Sequence, residues 1–206
     1  MNSIRIEDIA SHPSFCRLDV VSGIAVDLRY AGSNNFDGRV LYGGIDCAWL
    51  RVEAAQALAT SAAWLATHHP GQRLLVLDAL RPQRVQEEIW RDVKGTPAAR
   101  YFADPARGSI HSFGMAVDVT LLDVTIDTKG RELDMGSGFD EMSVRSHPAL
   151  EAEQLAAGSI TRVHIAAREI LRSAMQTGGF SGIPTEWWHF NHGDVSRVRR
   201  EFVRVD

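Results

Sequence analysis

Cysteine is nearly absent from this chain: Cys16 and Cys47 are the only two in 206 residues. Two thiols in unremarkable surroundings cannot make a disulfide framework, and they read as reduced structural cysteines. Long apolar runs are absent too, so no stretch approaches the length of a membrane span. Nor does one sign of charge dominate. A net charge of -4 gives no basic footprint for nucleic acid or for an anionic membrane surface. The start, Met1-Asn2-Ser3-Ile4-Arg5-Ile6-Glu7-Asp8, has neither the basic opening nor the apolar core of a secretory signal, and a cytoplasmic location is the expectation. There is no internal repeat, low-complexity tract or convincing linker. What remains is an ordinary globular composition, 45% hydrophobic and 23% charged, at a length that suits a single domain over residues 1–206.

The chain is organised around Ser109-Ile110-His111-Ser112-Phe113-Gly114-Met115-Ala116-Val117-Asp118. A histidine and a carboxylate stand on either side of a glycine, and the segment runs on into the strand-like stretch Val117 to Leu122. Strand side chains alternate, so Met115, Val117, Val119 and Leu121 share a core face while Ala116, Asp118 and Thr120 share the other. Small residues around one acid are the pattern of a carboxylate that must be reachable. Gly114 suits a sharp turn or a close approach. His111 and Asp118 therefore read as two ligands of one metal ion.

Around this motif, helices and strands mix without regular alternation, which favours an α+β fold over a doubly wound sheet. Ile24 to Tyr30 alternates as a half-buried strand, followed by turn formers from Ala31 to Gly38. Asp46 to His69 has apolar residues at helical spacing and stops at Pro70-Gly71. Leu74 to Leu80 is a buried strand interrupted by Asp78, and Pro82 suits the first position of a helix over Gln83 to Lys94. Gly95 to Gly108 is expected as a loop, Val124 to Leu133 as a hairpin turning near Lys129-Gly130, and Met135 to Asp140 as irregular backbone. Ser159 is placed to cap a helix from Ile160 to about Thr177, ended by Gly178-Gly179. The last short strand runs from Glu186 to Asn191. The tail Val195 to Asp206 carries Arg197, Arg199, Arg200 and Arg204 and reads as a solvated face rather than a partner contact.

Glu186-Trp187-Trp188-His189 supplies what the metal pair lacks. His189 is the expected third ligand, with His192 its nearest rival. Two histidines and one carboxylate on Zn2+ leave a fourth position for water, the arrangement of a hydrolytic site. Glu186 is the candidate general base. Regular strand parity would point residues 186 and 189 to opposite faces, so Glu186 must sit at an irregular strand entrance. Trp187 and Trp188 read as core or pocket wall. A lone histidine in an apolar run is more often packed than ligating; the joint pattern is the stronger signal.

Ser-x-His-x-x-Gly-x-Ala-x-Asp from Ser109 to Asp118, followed far downstream by Glu-x-x-His from Glu186 to His189, resembles the zinc D-alanyl-D-alanine dipeptidases, the group that includes the vancomycin-resistance dipeptidases. The wider clan holds zinc D,D-carboxypeptidases and the zinc-bearing hedgehog signalling domain. Leu28-Arg29-Tyr30-Ala31 with Asn34-Asn35-Phe36 and Gly38 is similar to the dipeptidase N-terminal signature. Asp78-Ala79-Leu80-Arg81-Pro82 is similar to its arginine motif, with Leu80 where an aromatic residue is common. Met135 to Asp140, Arg145-Ser146-His147 and Gly179-Phe180 complete the series. The resemblance runs from about residue 24 to 192 and leaves 1–23 and 193–206 as variable ends.

The resemblance implies a small domain with a central, mostly antiparallel sheet and flanking helices. It implies one Zn2+ per chain on His111, Asp118 and His189. Glu186 would serve as general base and then as proton donor to the leaving amine, and Arg81 would stabilise the oxyanion. Asp140 would hold the substrate ammonium, with Tyr30 and Ser109 binding through their hydroxyls. From the residues alone, a surface salt bridge is the other reading of Arg81, but its place directly after a buried strand and before Pro82 favours the functional one; Asp140 reads equally as a turn residue and Tyr30 as a strand aromatic. The implied reaction is hydrolysis of D-Ala-D-Ala, a small dipeptide partner, with the oligomeric state unspecified. A D,D-carboxypeptidase acting on peptidoglycan peptides and a non-catalytic zinc-bearing binding domain are the alternatives.

Overall fold

The structure, a computed structural model, describes residues 3–126 and 129–206. In chain order its strands and helices are β1 (Phe15–Arg17), β2 (Ile24–Val26), β3 (Trp49–Arg51), α1 (Val52–His68), β4 (Gln72–Asp78) and α2 (Gln83–Val93), then β5 (Ala116–Asp123), β6 (Arg131–Glu132), α3 (Glu151–Ala156), α4 (Arg162–Thr177), β7 (Phe180–Ile183), β8 (Glu186–His192) and α5 (Val195–Glu201). Short 3-10 turns join them, including Arg29–Ala31, Pro97–Tyr101 and Ile110–Phe113. The main sheet has the order β2-β4-β5-β8-β7, with β6 paired to β5, and only the β2–β4 pairing is parallel. A separate antiparallel pair joins β1 to β3. Sheet and helices form the expected α+β fold.

The two faces of the sheet are used differently. Leu74 pairs with Leu121 and Val76 with Val119, and these side chains belong to the main core with Leu58, Ala62 and Leu65 of α1 and Leu171, Ala174 and Met175 of α4. Each fully buried leucine there contributes roughly 1.5–3 kcal/mol relative to an exposed one. The close approach of the two helices has one absolute requirement. A Cβ on Gly178, at the end of α4, would lie 2.2 Å from Ser61 Oγ and 2.3 Å from the Ala57 carbonyl oxygen. The other face carries Leu75, Leu77 and Leu122 as a small apolar cluster, with Asp118 and Thr120 beside them in the alternation. It is the face on which the polar site is built.

Several element boundaries differ from the sequence expectation. The helix expected from Asp46 begins only at Val52, because Trp49–Arg51 is taken up by β3 pairing with β1. The strand expected over Ile24 to Tyr30 ends at Val26, and Arg29–Ala31 tightens into a 3-10 turn. Pro82 stands at the N-cap of α2, one position before the helix. Thr161, not Ser159, caps α4: its hydroxyl accepts from His164 N while His164 Nδ1 accepts from Thr161 N, and the Ser159 hydroxyl donates to the Gln154 carbonyl instead. The hairpin expected over Val124 to Leu133 appears as β6 paired to the end of β5, with residues 127 and 128 of its connection outside the described residues. No helix among the described residues is long and apolar enough to cross a membrane.

The tail is not a solvated face. Val198 and Val205 are buried. The Val205 amide donates to the Ser112 carbonyl, the Val205 carbonyl accepts from Gln83 N, and Asp206 exchanges backbone hydrogen bonds with the Ile4 to Ile6 segment. Apolar residues interleaved among the arginines are what dock it.

Candidate active site

Three neighbouring strands set one row of polar residues. Asp118 of β5 is the register partner of Asp78 on β4 and of His189 on β8. His111 joins the row from the Ile110–Phe113 turn, which Gly114 closes at φ +69°. A Cβ at Gly114 would also meet Phe15 Cε1 at 2.9 Å and Arg51 N at 3.1 Å, so glycine is required by both conformation and space.

Each histidine is oriented by its far nitrogen. His111 Nδ1 lies 2.7 Å from the Ala79 carbonyl oxygen, to which it donates, leaving the Nε2 lone pair directed inward. His189 Nε2 lies 3.0 Å from Asn191 Oδ1, leaving Nδ1 inward. His111 Nε2 and His189 Nδ1 are 3.1 Å apart, and Asp118 Oδ1 lies 3.3 Å from the first and 2.9 Å from the second. The three donor groups lie within 4.8 Å of one another. With both outward nitrogens donating, two lone pairs and a carboxylate oxygen face a common point with no hydrogen between them. A cation resolves that arrangement, and the outward hydrogen bonds are those that tune histidine ligands. Without a cation, a proton on the facing histidines takes its place and, against the effect of burial, holds Asp118 well below the usual carboxylate range.

Glu186 reaches the same cavity through a strand irregularity. Gly182 pairs with Phe190, but the next residue of β7, Ile183, pairs with Glu186. Residues 187–189 are therefore skipped by the β7–β8 ladder, although His189 still pairs with Asp118 of β5, and simple alternation no longer applies on that edge. Trp187 and Trp188 are consequently both buried. Burial pushes the Glu186 carboxyl up to about 7, opposed by His189 and assisted by Asp118 and Asp140.

Arg81 is 7% exposed and held on three sides. Its Nε and Nη2 donate to Asp78 Oδ2 at 3.0 and 2.6 Å, and its Nη1 donates to Gln86 Oε1 at 3.0 Å. Its guanidinium stacks 4.8 Å over the Tyr30 ring. The fully buried Asp78 also accepts from the Tyr42 hydroxyl and from Ala79 N. Arg81 is thus an interior cation, not a surface salt-bridge partner, and its Nη2 also lies 3.7 Å from Asp118 Oδ2.

His111, Asp118, His189, Glu186 and Arg81 border one cavity of about 340 Å³, near the lower end of the ~300–1,000 Å³ range of small-molecule sites. Tyr30, Ser109 and Asp140 line it as well. Asp140 has a left-handed φ of 58°, and its Oδ2 accepts a 3.4 Å bond from Phe36 N. Burial and the nearby Asp118 raise its pKa to about 7, against the pull of Arg81. Sequence reasoning brought these eight residues forward and the fold brings them together. It gave no role to Asp78, Tyr42, Gln86, Asn191 or Arg199. Asn191 had a legible signal, two positions after His189 on one strand, and so did Asp78, three residues before Arg81 in the same motif; Tyr42, Gln86 and Arg199 meet the site through contacts the sequence pattern does not mark. The His192 ring packs on Phe180, outside the three-donor cluster.

The sequence model of a family described as D-ala-D-ala dipeptidase matches residues 13–206. A D-alanyl-D-alanine dipeptidase of Escherichia coli is 38% identical over 174 residues, covering 81% of this chain and 78% of the relative. One from Synechocystis is 32% identical over 175 residues, covering 70% and 69%. One from Enterococcus faecium is 31% identical over 191 residues, covering 84% and 87%.

Proposed function

The chain belongs to the D-ala-D-ala dipeptidase family of metallopeptidases, and from that premise we propose that it hydrolyses free D-alanyl-D-alanine to two D-alanines. The observation that carries the reading is the inward-facing set of His111 Nε2, His189 Nδ1 and Asp118 Oδ1 in a cavity shared with Arg81 and two further carboxylates. Two imidazoles and one carboxylate suit Zn2+, which when bound supplies a Lewis acid and lowers the pKa of water.

The chain's own residues do the rest. Glu186, with its carboxyl pushed up to about 7, is poised to take a proton from the attacking water and to return it to the amine nitrogen as the C–N bond breaks. Arg81, kept in place by Asp78 and Gln86, donates to the carbonyl oxygen as negative charge develops there. Asp140 pairs with the substrate ammonium, and Tyr30 and Ser109 supply hydroxyl contacts. An N-acylated or N-terminally extended peptide would leave Asp140 enclosed without a cation, which is costly and selects for the free dipeptide. The free thiols Cys16 and Cys47 support a cytoplasmic setting.

The test is D-alanine release from D-Ala-D-Ala and from N-acetyl-D-Ala-D-Ala by the zinc-loaded protein, with a chelator control. Cleavage of the free dipeptide alone, abolished by the chelator, is the expected result. Glu186→Gln should retain zinc but lose at least about 10²-fold in kcat. Equal cleavage of both substrates would identify a carboxypeptidase, and zinc binding without cleavage of either would identify a binding domain.

A further inference from the structure

We propose that Arg199 binds the C-terminal carboxylate of the dipeptide, as the cationic counterpart of Asp140. The inference rests on the dipeptidase reading and adds a residue from the C-terminal helix to it.

Arg199 sits on α5 next to Val198, whose burial anchors that helix, and its side chain forms part of the wall of the same cavity. Arg199 Nε donates to the Gly108 carbonyl at 3.1 Å, which holds the guanidinium beside Ser109, another wall residue. One edge of the guanidinium is thereby fixed. Among the described residues no carboxylate forms an ion pair with Arg199, nor with its neighbours Arg107 and Arg204. Arg204 is occupied with backbone, its Nη1 and Nη2 donating to the carbonyls of Pro105 and Ala106. Arg199 and Arg204 thus hold the 105–109 segment, which itself carries Arg107, and none of the three has an ion-pair partner among the described residues. Burial depresses the Arg199 pKa, and Arg107 and Arg204 add to the effect. Such a patch at a cavity wall favours an anion.

The substrate supplies one. A free dipeptide is a zwitterion, and Asp140 answers only its ammonium. Among the other wall groups, Arg81 is assigned to the carbonyl oxygen of the scissile bond, and Ser109 and Tyr30 are neutral. A guanidinium in the cavity wall with no ion-pair partner among the described residues is suited to a carboxylate. A C-terminal amide or a further residue would forfeit that pairing.

The experiment compares wild type, Arg199→Met, Arg199→Lys and Arg200→Gln, each zinc-loaded and checked for metal content and melting temperature. Arg200 is an exposed neighbour on the same helix. D-Ala-D-Ala is the substrate, and D-Ala-D-alaninamide is followed as a competitor, so its affinity is read whether or not it is cleaved. Arg199→Met should raise KM for the dipeptide about 10- to 100-fold with a much smaller change in kcat, and should change the inhibition constant of the amide less than about threefold. Arg199→Lys should recover part of the loss, and Arg200→Gln should behave as wild type. Equal weakening of dipeptide and amide would show that Arg199 only braces Gly108, and an unchanged KM would dismiss it from binding; either result overturns the inference while leaving the dipeptidase reading intact. A wild type inactive on the dipeptide overturns that reading and this inference together.

Discussion

Asp140 carries a conflict between stability and binding within one side chain. Its carboxyl is pushed up to about 7 by burial and by Asp118, so the folded protein binds this proton more tightly than the unfolded chain does. The sign follows from linkage: below the ordinary carboxylate range the group is protonated in both states and costs nothing, and stability is lost as pH rises through about 7. Asp140→Asn, which cannot ionise and tolerates the left-handed backbone, should therefore melt a few degrees above wild type at pH 8. That advantage should shrink toward pH 5 in thermal melts of the metal-free proteins, and a pH-independent difference would refute the account. The same substitution should impair D-Ala-D-Ala cleavage, the outcome expected from the ammonium-binding role proposed for Asp140. At this scale the sequence was most informative, because the candidate ligands, the candidate base and the arginine are chemically distinctive and lie in short spaced motifs. Gln86 is less distinctive: a helical glutamine acquires meaning only when it is seen gripping Arg81.

The turn Ile110–Phe113 and its closing residue Gly114 show how an element aims a ligand. The turn reverses direction at a left-handed residue pressed against Phe15 and the Arg51 amide, and the Gly114 carbonyl accepts from Arg51 N at 2.9 Å. Gly114→Ala imposes a left-handed penalty of about 1–2 kcal/mol besides the clash. It should lower the denaturant midpoint and weaken zinc binding at least tenfold through displacement of His111, as read by competition with a chromophoric chelator. Normal zinc affinity in that variant would separate the turn from the metal site. The glycine and the strand after it were legible from sequence. Parity demanded an irregularity and the sequence placed it at the strand entrance before Glu186, whereas the register shift leaves residues 187–189, just inside β8, unpaired with β7. Boundaries set by distant pairing were not legible: Trp49–Arg51 lies in a helical pattern and becomes a strand because Phe15–Arg17 lies beside it.

Across the whole molecule, the two ends of the chain close on the site. The Val205 carbonyl accepts from Gln83 N at the start of α2, its amide donates to Ser112 in the turn that bears His111, and Ile4 pairs with the same tail. Val205→Ala, which opens a gap at a fully buried position, should cost about 1–3 kcal/mol and speed hydrogen exchange at the Gln83 amide more than in the core of β4. Uniform acceleration would mean that the tail only adds global stability. This docking could not be read from composition, because four arginines in twelve residues look solvated until Val198 and Val205 are seen turned inward.

The division of labour between sheet and connections has a further consequence for how such a protein can diversify. The three inward donors and Asp78 stand on paired strands or on a turn tied to them, whereas much of the cavity wall comes from connections, with Tyr101, Phe102 and Ala103 before the organising motif and Asp140 and Met142 after β6. Connections accept insertions and substitutions far more readily than paired strands do. Lineages descended from one ancestor can therefore retune which small peptides are admitted while the reacting groups keep their spacing, and change in diet or habitat can be met without rebuilding the chemistry.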